Sequence, residues 1–275
     1  MRTVLSDKAD CRSVTPRPST SAPCRNHLLG LLPEPVAVHL GSFLHRVELG
    51  RKQVLFRPHE RLETVYFPET AVVSLVERLR SGDALDVGLI GCDGMVGTAV
   101  LPGISTMPCE AVVQIGGVAL RVSADVLRQQ ALEHSEIHNM IDRYAPVLLS
   151  VSMQAAICNR FHSVEAQCAR WLLTAQDLVS SDELPVTQYL LAEMLGVQRP
   201  TITLTMRTLA EKGCIENRRG RVRILNRDRM QAAACECYGR LREEHARLLS
   251  QPVGEASAAT SLVGLASPRV AFLRR

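Results

Sequence analysis

Aromatic residues are scarce in this chain, 4% of the total with a single tryptophan. Its core must therefore rest on leucine, valine, isoleucine and alanine, within an apolar fraction of 46%. Long apolar runs are missing too, since none reaches the ~20 residues a membrane-spanning helix needs. The nearest stretch, residues 144–159, is uncharged but carries Pro146, Ser150, Ser152 and Gln154, and it reads as a buried helix. The opening "MRTVLSDKADCRS" has charge without the apolar segment of a secretory signal. Cysteines stand at 11, 24, 92, 109, 158, 168, 214, 235 and 237, an odd number with no regular framework. That argues against a disulfide scaffold and for free thiols in a reducing cytoplasm. No Lys or Arg occurs between Ser81 and Leu120. No convergent nucleophile–base set is visible either, so an enzyme is not expected.

A length of 275 residues favours two domains. Residues 1–26, rich in Ser, Thr, Pro and Arg, and residues 251–275 lack periodicity and are expected to be tails. Between Val47 and Val122 short apolar runs such as "TVYFPET", "LDVGLIGCDG" and "EAVVQIGGVALRV" alternate with turn residues. This is the spacing of an antiparallel β-sandwich or roll, assigned to 27–122. From Ser123 the pattern turns helical, with Ser123 placed to cap a helix over Ala124–Glu133. Ile141, Tyr144, Leu148, Val151, Ala155 and Cys158 then follow as a heptad stripe. Such a stripe suggests a helix pairing with another helix, and 123–160 is read as linker and dimerisation helix. Pro146 falls inside it and would remove a helical hydrogen bond. A further helix is expected over Ser163–Leu178, then a loop at "SSDELP".

The most informative stretch is "LLAEMLGVQRPTITLTMRTLAEKGCIENRRGRVRIL". Thr187 is a good N-cap for a helix over Gln188–Leu195, and Gly196 can end it in the left-handed conformation. Pro200 suits the first turn of a second helix, which Gly213 stops. Two short helices joined by a Gly-containing turn form a helix-turn-helix. The break lets the second helix project into a DNA major groove, with Arg199, Thr201, Thr203, Leu204, Arg207 and Thr208 outward. Arginine can bridge guanine O6 and N7 or hold phosphate; threonine can contact phosphate or the thymine methyl. "CIENRRGRVRIL" then alternates about a turn at Arg218–Gly220, as a β-hairpin wing does. From Arg199 to Arg229 nine basic residues meet only three acids, a local excess larger than the +4 of the whole chain. Gln198, Arg199, Thr201, Thr203, Arg207, Arg218, Arg219, Arg221 and Arg223 are the candidate DNA-binding residues.

From about Leu28 to Leu249 the sequence resembles the Crp/Fnr family of bacterial transcription regulators. The resemblance is carried by "LLAEMLGVQRPTITLTMRTLAEKGCI", "RRGRVRILNRDRM" and the preceding "FHSVEAQCARWLL". It implies an α+β chain: an N-terminal antiparallel β-roll like that of cyclic-nucleotide-binding domains, a long dimerisation helix, and a winged helix-turn-helix over 161–250. It further implies a homodimer on double-stranded DNA with an inverted-repeat operator, RNA polymerase as partner, and no membrane. The family's cyclic-nucleotide sites use a Gly-Glu pair and a later Arg-Ser pair. Here Gly97 matches, but Thr98 replaces the glutamate, and Pro108 and Cys109 stand where Arg and Ser belong. A buried phosphate would lack its cation, which argues against cyclic AMP as effector. The effector is left open. Cys11 and Cys24 are too sparse for the family's four-thiolate iron–sulfur cluster.

Weaker signals remain. Gly88, Gly91, Gly94 and Gly97 recur every three residues without the dinucleotide fingerprint, and read as strand turns. His134 and His138 lie four apart on a helix and read as an exposed pair rather than metal ligands. Cys235 and Cys237 admit redox or metal chemistry with a third ligand, or a place as small core residues under the wing; the second is preferred. No cofactor or metal is expected. Two alternatives stay open: gating by an unidentified small ligand or by thiol or metal chemistry, and, more remotely, a metal- or thiol-dependent enzyme using His134, His138 and the cysteines.

Overall fold

The computed structural model describes residues 26–100, 105–179 and 181–249. The two expected tails, with Cys11 and Cys24, lie outside the described residues apart from Asn26. That residue is buried: its amide donates to Pro68 O (2.8 Å) and Gly94 O (2.9 Å), and its Oδ1 accepts from Leu29 N (3.1 Å). A short 3-10 turn at Leu29–Leu31 and helix α1 (Glu34–Gly41) follow.

Seven strands then form the roll: β1 (His45–Leu49), β2 (Val54–Phe56), β3 (Thr64–Pro68), β4 (Val72–Arg78), β5 (Ala84–Ile90), β6 (Glu110–Ile115) and β7 (Gly117–Ser123). They pair antiparallel in two sheets, ordered β1-β7-β3 and β2-β6-β4-β5. Leu49, Phe56, Ala71, Val73, Leu75, Ile90, Val113 and Ala119 pack together in the roll's interior. Helix α1 was not foreseen; Val36 and Leu40 anchor it to a second core with Val65, Phe67 and Met140.

Helix α2 (Ala124–Glu133) begins where expected, although the Ser123 side chain makes no capping hydrogen bond. Helix α3 (Ser135–Phe161) runs 27 residues and continues through the exposed Pro146. The heptad stripe is not an open face. Ile141, Tyr144, Ala155 and Cys158 are buried within the chain, and Leu148 and Val151 lie half-buried over Gly88 of β5. Ser152 Oγ ties the same face to Val87 O at 3.0 Å. Heptad spacing identifies a buried helical face but not what buries it, and here the roll and the C-terminal helix do so. The exposed apolar positions on α3 are instead Leu149, Met153, Ile157 and Phe161, spaced by four.

The C-terminal half comprises α4 (Val164–Val179), β8 (Glu183–Leu184), α5 (Gln188–Met194), α6 (Arg199–Glu211), β9 (Ile215–Arg218), β10 (Arg221–Ile224), α7 (Arg227–Ala233) and α8 (Cys237–Leu249). Its core, centred on Trp171, Leu172, Leu191, Ile202, Met206 and Leu209, extends into the roll through Val72, Val76 and Ile115. Hydrophobic burial is thus continuous between the two halves. The recurring glycines serve this packing as well as turns: Gly94 N donates to Gly91 O at 3.1 Å, and Gly97 has a φ of +105°. Gly88 lies inside β5; a Cβ on Gly94 would stand 2.0 Å from Tyr144 Oη, and one on Gly91 would stand 2.7 Å from Leu178. Asp86 of β5 completes the junction, accepting from Trp171 Nε1 (3.1 Å) and Gly88 N (2.9 Å). Burial pushes its carboxyl up to about 6, despite these donors.

Candidate nucleic-acid interface

Helix α5 starts because Thr187 adopts an extended conformation and its side chain accepts from Leu190 N at 3.2 Å. It ends at Gly196, whose φ of +61° lies in the left-handed region that costs glycine least. Gln198 is the extended residue before α6, and Pro200 sits in the first turn. Ile202, Met206 and Leu209 turn inward on α6 and fix its rotation. Gln198, Arg199, Thr201, Thr203, Leu204 and Arg207 are consequently exposed, with Leu204 66% accessible. Thr208 is half-buried, with Oγ1 turned back to Leu204 O at 3.2 Å.

The wing follows the expected alternation. Val222 and Ile224 are buried; Arg218, Arg219, Arg221 and Arg223 are exposed about the turn at Gly220. The "SSDELP" segment, read as a loop, contributes β8, which pairs with β10 and makes the wing sheet three-stranded. Two residues are too short for a periodic signal.

A cleft of about 460 Å³ opens between the start of α5, the start of α6 and the wing. Arg199, Arg218 and Arg219 line it together with Gln188, Tyr189 and Asn217. The latter three were not among the candidate residues. The Thr187 cap was the available signal, since it places positions 188 and 189 at a helix start beside the next helix.

The basic residues divide into two groups. Arg227 holds Asp177 and the Tyr238 hydroxyl, each at 2.5 Å, and also Gln176. Lys212 pairs with Glu165, and Arg229 Nη1 donates to Lys212 O at 3.3 Å. These three hold the domain together. Arg207 pairs with Glu211 (2.8 Å), Arg218 with Glu216 (2.9 Å) and Arg221 with Glu183 (2.5 Å), all near the surface. Arg221 holds the Glu183 carboxyl below its usual range. Such pairs contribute only ~0–1 kcal/mol, so an incoming phosphate can displace the carboxylates at little cost. Among the described residues Arg199, Arg219 and Arg223 make no ion pair.

The histidine and cysteine expectations fare differently. His138 pairs with Asp142 at 3.1 Å, whereas the His134 ring packs on His39 with centroids 4.8 Å apart. The two do not converge. Cys235 and Cys237 are buried, but against Cys158 of α3 rather than under the wing. The connection into α8, not read from the sequence, carries them there.

Residues 166–233 match the model of the Crp-like helix-turn-helix domain. No curated relative matches the chain. Among solved structures, FixK2 from Bradyrhizobium japonicum is similar at 14% identity with a TM-score of 0.60, covering 70% of this chain and 98% of that one. A putative transcriptional regulator of the Crp/Fnr family from Eubacterium rectale gives 15%, 0.57, 75% and 96% in the same order. CLP, a c-di-GMP responsive global regulator from Xanthomonas campestris, gives 18%, 0.57, 70% and 100%. The chain carries a Crp-like helix-turn-helix DNA-binding domain. As a whole it has the fold of the Crp/Fnr transcription regulators: antiparallel roll, long helix, winged helix-turn-helix. No helix among the described residues is long and apolar enough to cross a membrane.

Proposed function

We propose that this chain is a cytoplasmic, homodimeric, sequence-specific transcription regulator acting on an inverted-repeat operator, and not an enzyme. One observation carries the reading: Arg199, at the start of α6, shares an open cleft with Arg218 and Arg219 of the wing. Residues at the start of such a helix reach base edges, while wing arginines meet phosphate. Gln198, Arg199, Thr201, Thr203 and Arg207 therefore read or flank the bases, and Arg218, Arg219, Arg221 and Arg223 hold the backbone. The second copy docks along the exposed face of α3 at Leu149, Met153 and Ile157, which would otherwise leave apolar surface in water. The bound dimer recruits or obstructs RNA polymerase.

Cyclic AMP does not gate this protein. The roll's interior is filled by apolar side chains, and a cleft on its flank, about 490 Å³, offers Arg61 beside Glu60 and Glu63. A second reading, gating by another small ligand, is favoured by a cleft of about 650 Å³ between the two halves, lined in part by Asp86, Asp177, Arg227, Tyr238 and His245. Genome-wide mapping of bound sites tests the main reading. A shared inverted repeat, with half-site centres about one helical turn apart, is expected; bound sites sharing no repeat would overturn it.

A further inference from the structure

The end of α3 and the entry to α8 bring four chemically matched side chains to one point. Cys158 lies in the last turn of α3, and His162 follows four residues later as the residue that ends the helix. Cys235 stands in the short connection after α7, and Cys237 opens α8. The ligand atoms of all four lie within 4.8 Å of one another. Cys158 Sγ and Cys235 Sγ are 3.5 Å apart, and Cys237 Sγ is 3.4 Å from His162 Nδ1.

Those separations have a chemical meaning. A tetrahedral ion with bonds of ~2.3 Å to sulfur and ~2.05 Å to nitrogen places sulfur pairs about 3.8 Å apart and sulfur–nitrogen pairs about 3.6 Å apart. A disulfide would need ~2.05 Å. These two distances lie within about 0.3 Å of the first geometry and far from the second. We infer that Cys158, His162, Cys235 and Cys237 form a closed Cys₃His site for a divalent zinc ion, which fastens α8 to the end of α3.

The surroundings agree with this and not with ordinary core packing. The three cysteines are at most 8% exposed, yet they form a small cluster of their own on which, among the described residues, Ala166 is the only hydrophobic side chain packed. Three thiols without a large apolar neighbour bury little surface for the area they occupy. Polar groups also converge on the cluster, as supporting groups do around metal ligands. Gln154 Nε2 donates to Cys237 Sγ at 2.8 Å; Gln167 Nε2 donates to His162 O (2.9 Å) and Cys158 O (3.2 Å). Arg170, within electrostatic reach of Cys158, has a buried Nε without a hydrogen-bond partner among the described residues. Three thiolates, a neutral imidazole and a dication leave one net negative charge, which this guanidinium offsets. Binding releases the three thiol protons. With four protein ligands the site has no open position, so the role is structural rather than catalytic. Its place is the joint where the long helix hands over to the DNA-binding half.

The test uses the full chain, purified under reducing conditions without chelator. Elemental analysis should give one zinc per protomer. Apoprotein titrated with Co²⁺ should develop the intense visible bands of tetrahedral cobalt together with a thiolate-to-cobalt charge-transfer band. Cys158→Ser and Cys235→Ser should each lose the metal, whereas Cys92→Ser, outside the cluster, should keep it. A ligand variant that folds poorly would lose the metal for that reason alone, so His162→Cys supplies an independent check: it should still bind cobalt, with stronger charge-transfer absorption from a fourth thiolate. Gln154→Ala should weaken metal affinity about ten-fold. Failure of the reduced apoprotein to take up Zn²⁺ or Co²⁺ would overturn the inference. So would zinc retained in Cys235→Ser, or a Cys158–Cys235 disulfide in the isolated protein.

Discussion

The roll and the winged helix-turn-helix share a continuous core, yet they treat charge in opposite ways. Between Ser81 and Leu120 the roll carries no Lys or Arg, its interior is apolar, and Asp86, a half-buried acid of β5, is turned toward the other half. The winged domain keeps its core apolar but lines α6 and the wing with exposed arginine. The same overall fold thus leaves the interior of one half without a cation for an anionic ligand and gives the other a surface suited to a polyanion. Shape alone does not settle what each half binds; the placement of charge does.

The comparison breaks most severely if the two halves do not act as one dimer. Replacing Leu149 and Met153 together by Glu should convert dimers to monomers and abolish operator binding; sedimentation and gel shift read both. The pair Leu148 and Val151, covered by the roll, should destabilise the protomer instead when changed to Glu, lowering Tm. The difference between the two double variants tests which face of α3 is free.

Asp86 measures the junction itself. Its folded pKa, pushed up to about 6 from 3.8 by burial, exceeds its unfolded value. Its contribution to stability is therefore full below about pH 4 and is lost as pH rises through about 6, amounting to ~3 kcal/mol by pH 7. Denaturant titrations followed by the single tryptophan, whose indole donates to Asp86, should show that decline. Asp86→Asn should remove it, and an unchanged pH profile in that variant would refute the assignment.

Gly94→Ala should cost ~1–3 kcal/mol through overpacking against Tyr144. Tyr144→Phe, which removes the nearest atom, should recover part of that loss in the double variant. Thermal melts of the four proteins decide it. The smallest effect belongs to the wing. Arg223→Ala should weaken binding to all duplexes alike and reduce the salt slope by about one. Arg221→Ala should do so less, because Glu183 already occupies Arg221.

Much of this arrangement was legible in the sequence, for physical reasons that differ by region. The helix-turn-helix announces itself because Thr187, Gly196, Pro200 and Gly213 are local devices whose effect needs no tertiary partner. The strands of the roll show through short apolar runs separated by turn residues. The partner of a buried face was not legible. The stripe from Ile141 to Cys158 says that something covers it, and only the fold shows that β5 and α8 do. For the same reason Cys158 and His162 could not be joined to Cys235 and Cys237, which are far away along the chain and adjacent only after α8 folds back. In the basic tally, Lys212, Arg227 and Arg229 counted toward DNA yet are engaged by partners within the domain, because composition does not distinguish a cation that is already partnered from one that is free.

The central claim, that α6 reads bases while the wing holds phosphate, is tested most directly by one titration series. Arg199→Ala and Arg223→Ala are titrated against cognate and scrambled duplexes at several salt concentrations. The account predicts that Arg199→Ala loses about 1–3 kcal/mol on the cognate site and much less on the scrambled one, whereas Arg223→Ala loses the same on both. Equal losses for Arg199→Ala on the two duplexes would contradict it.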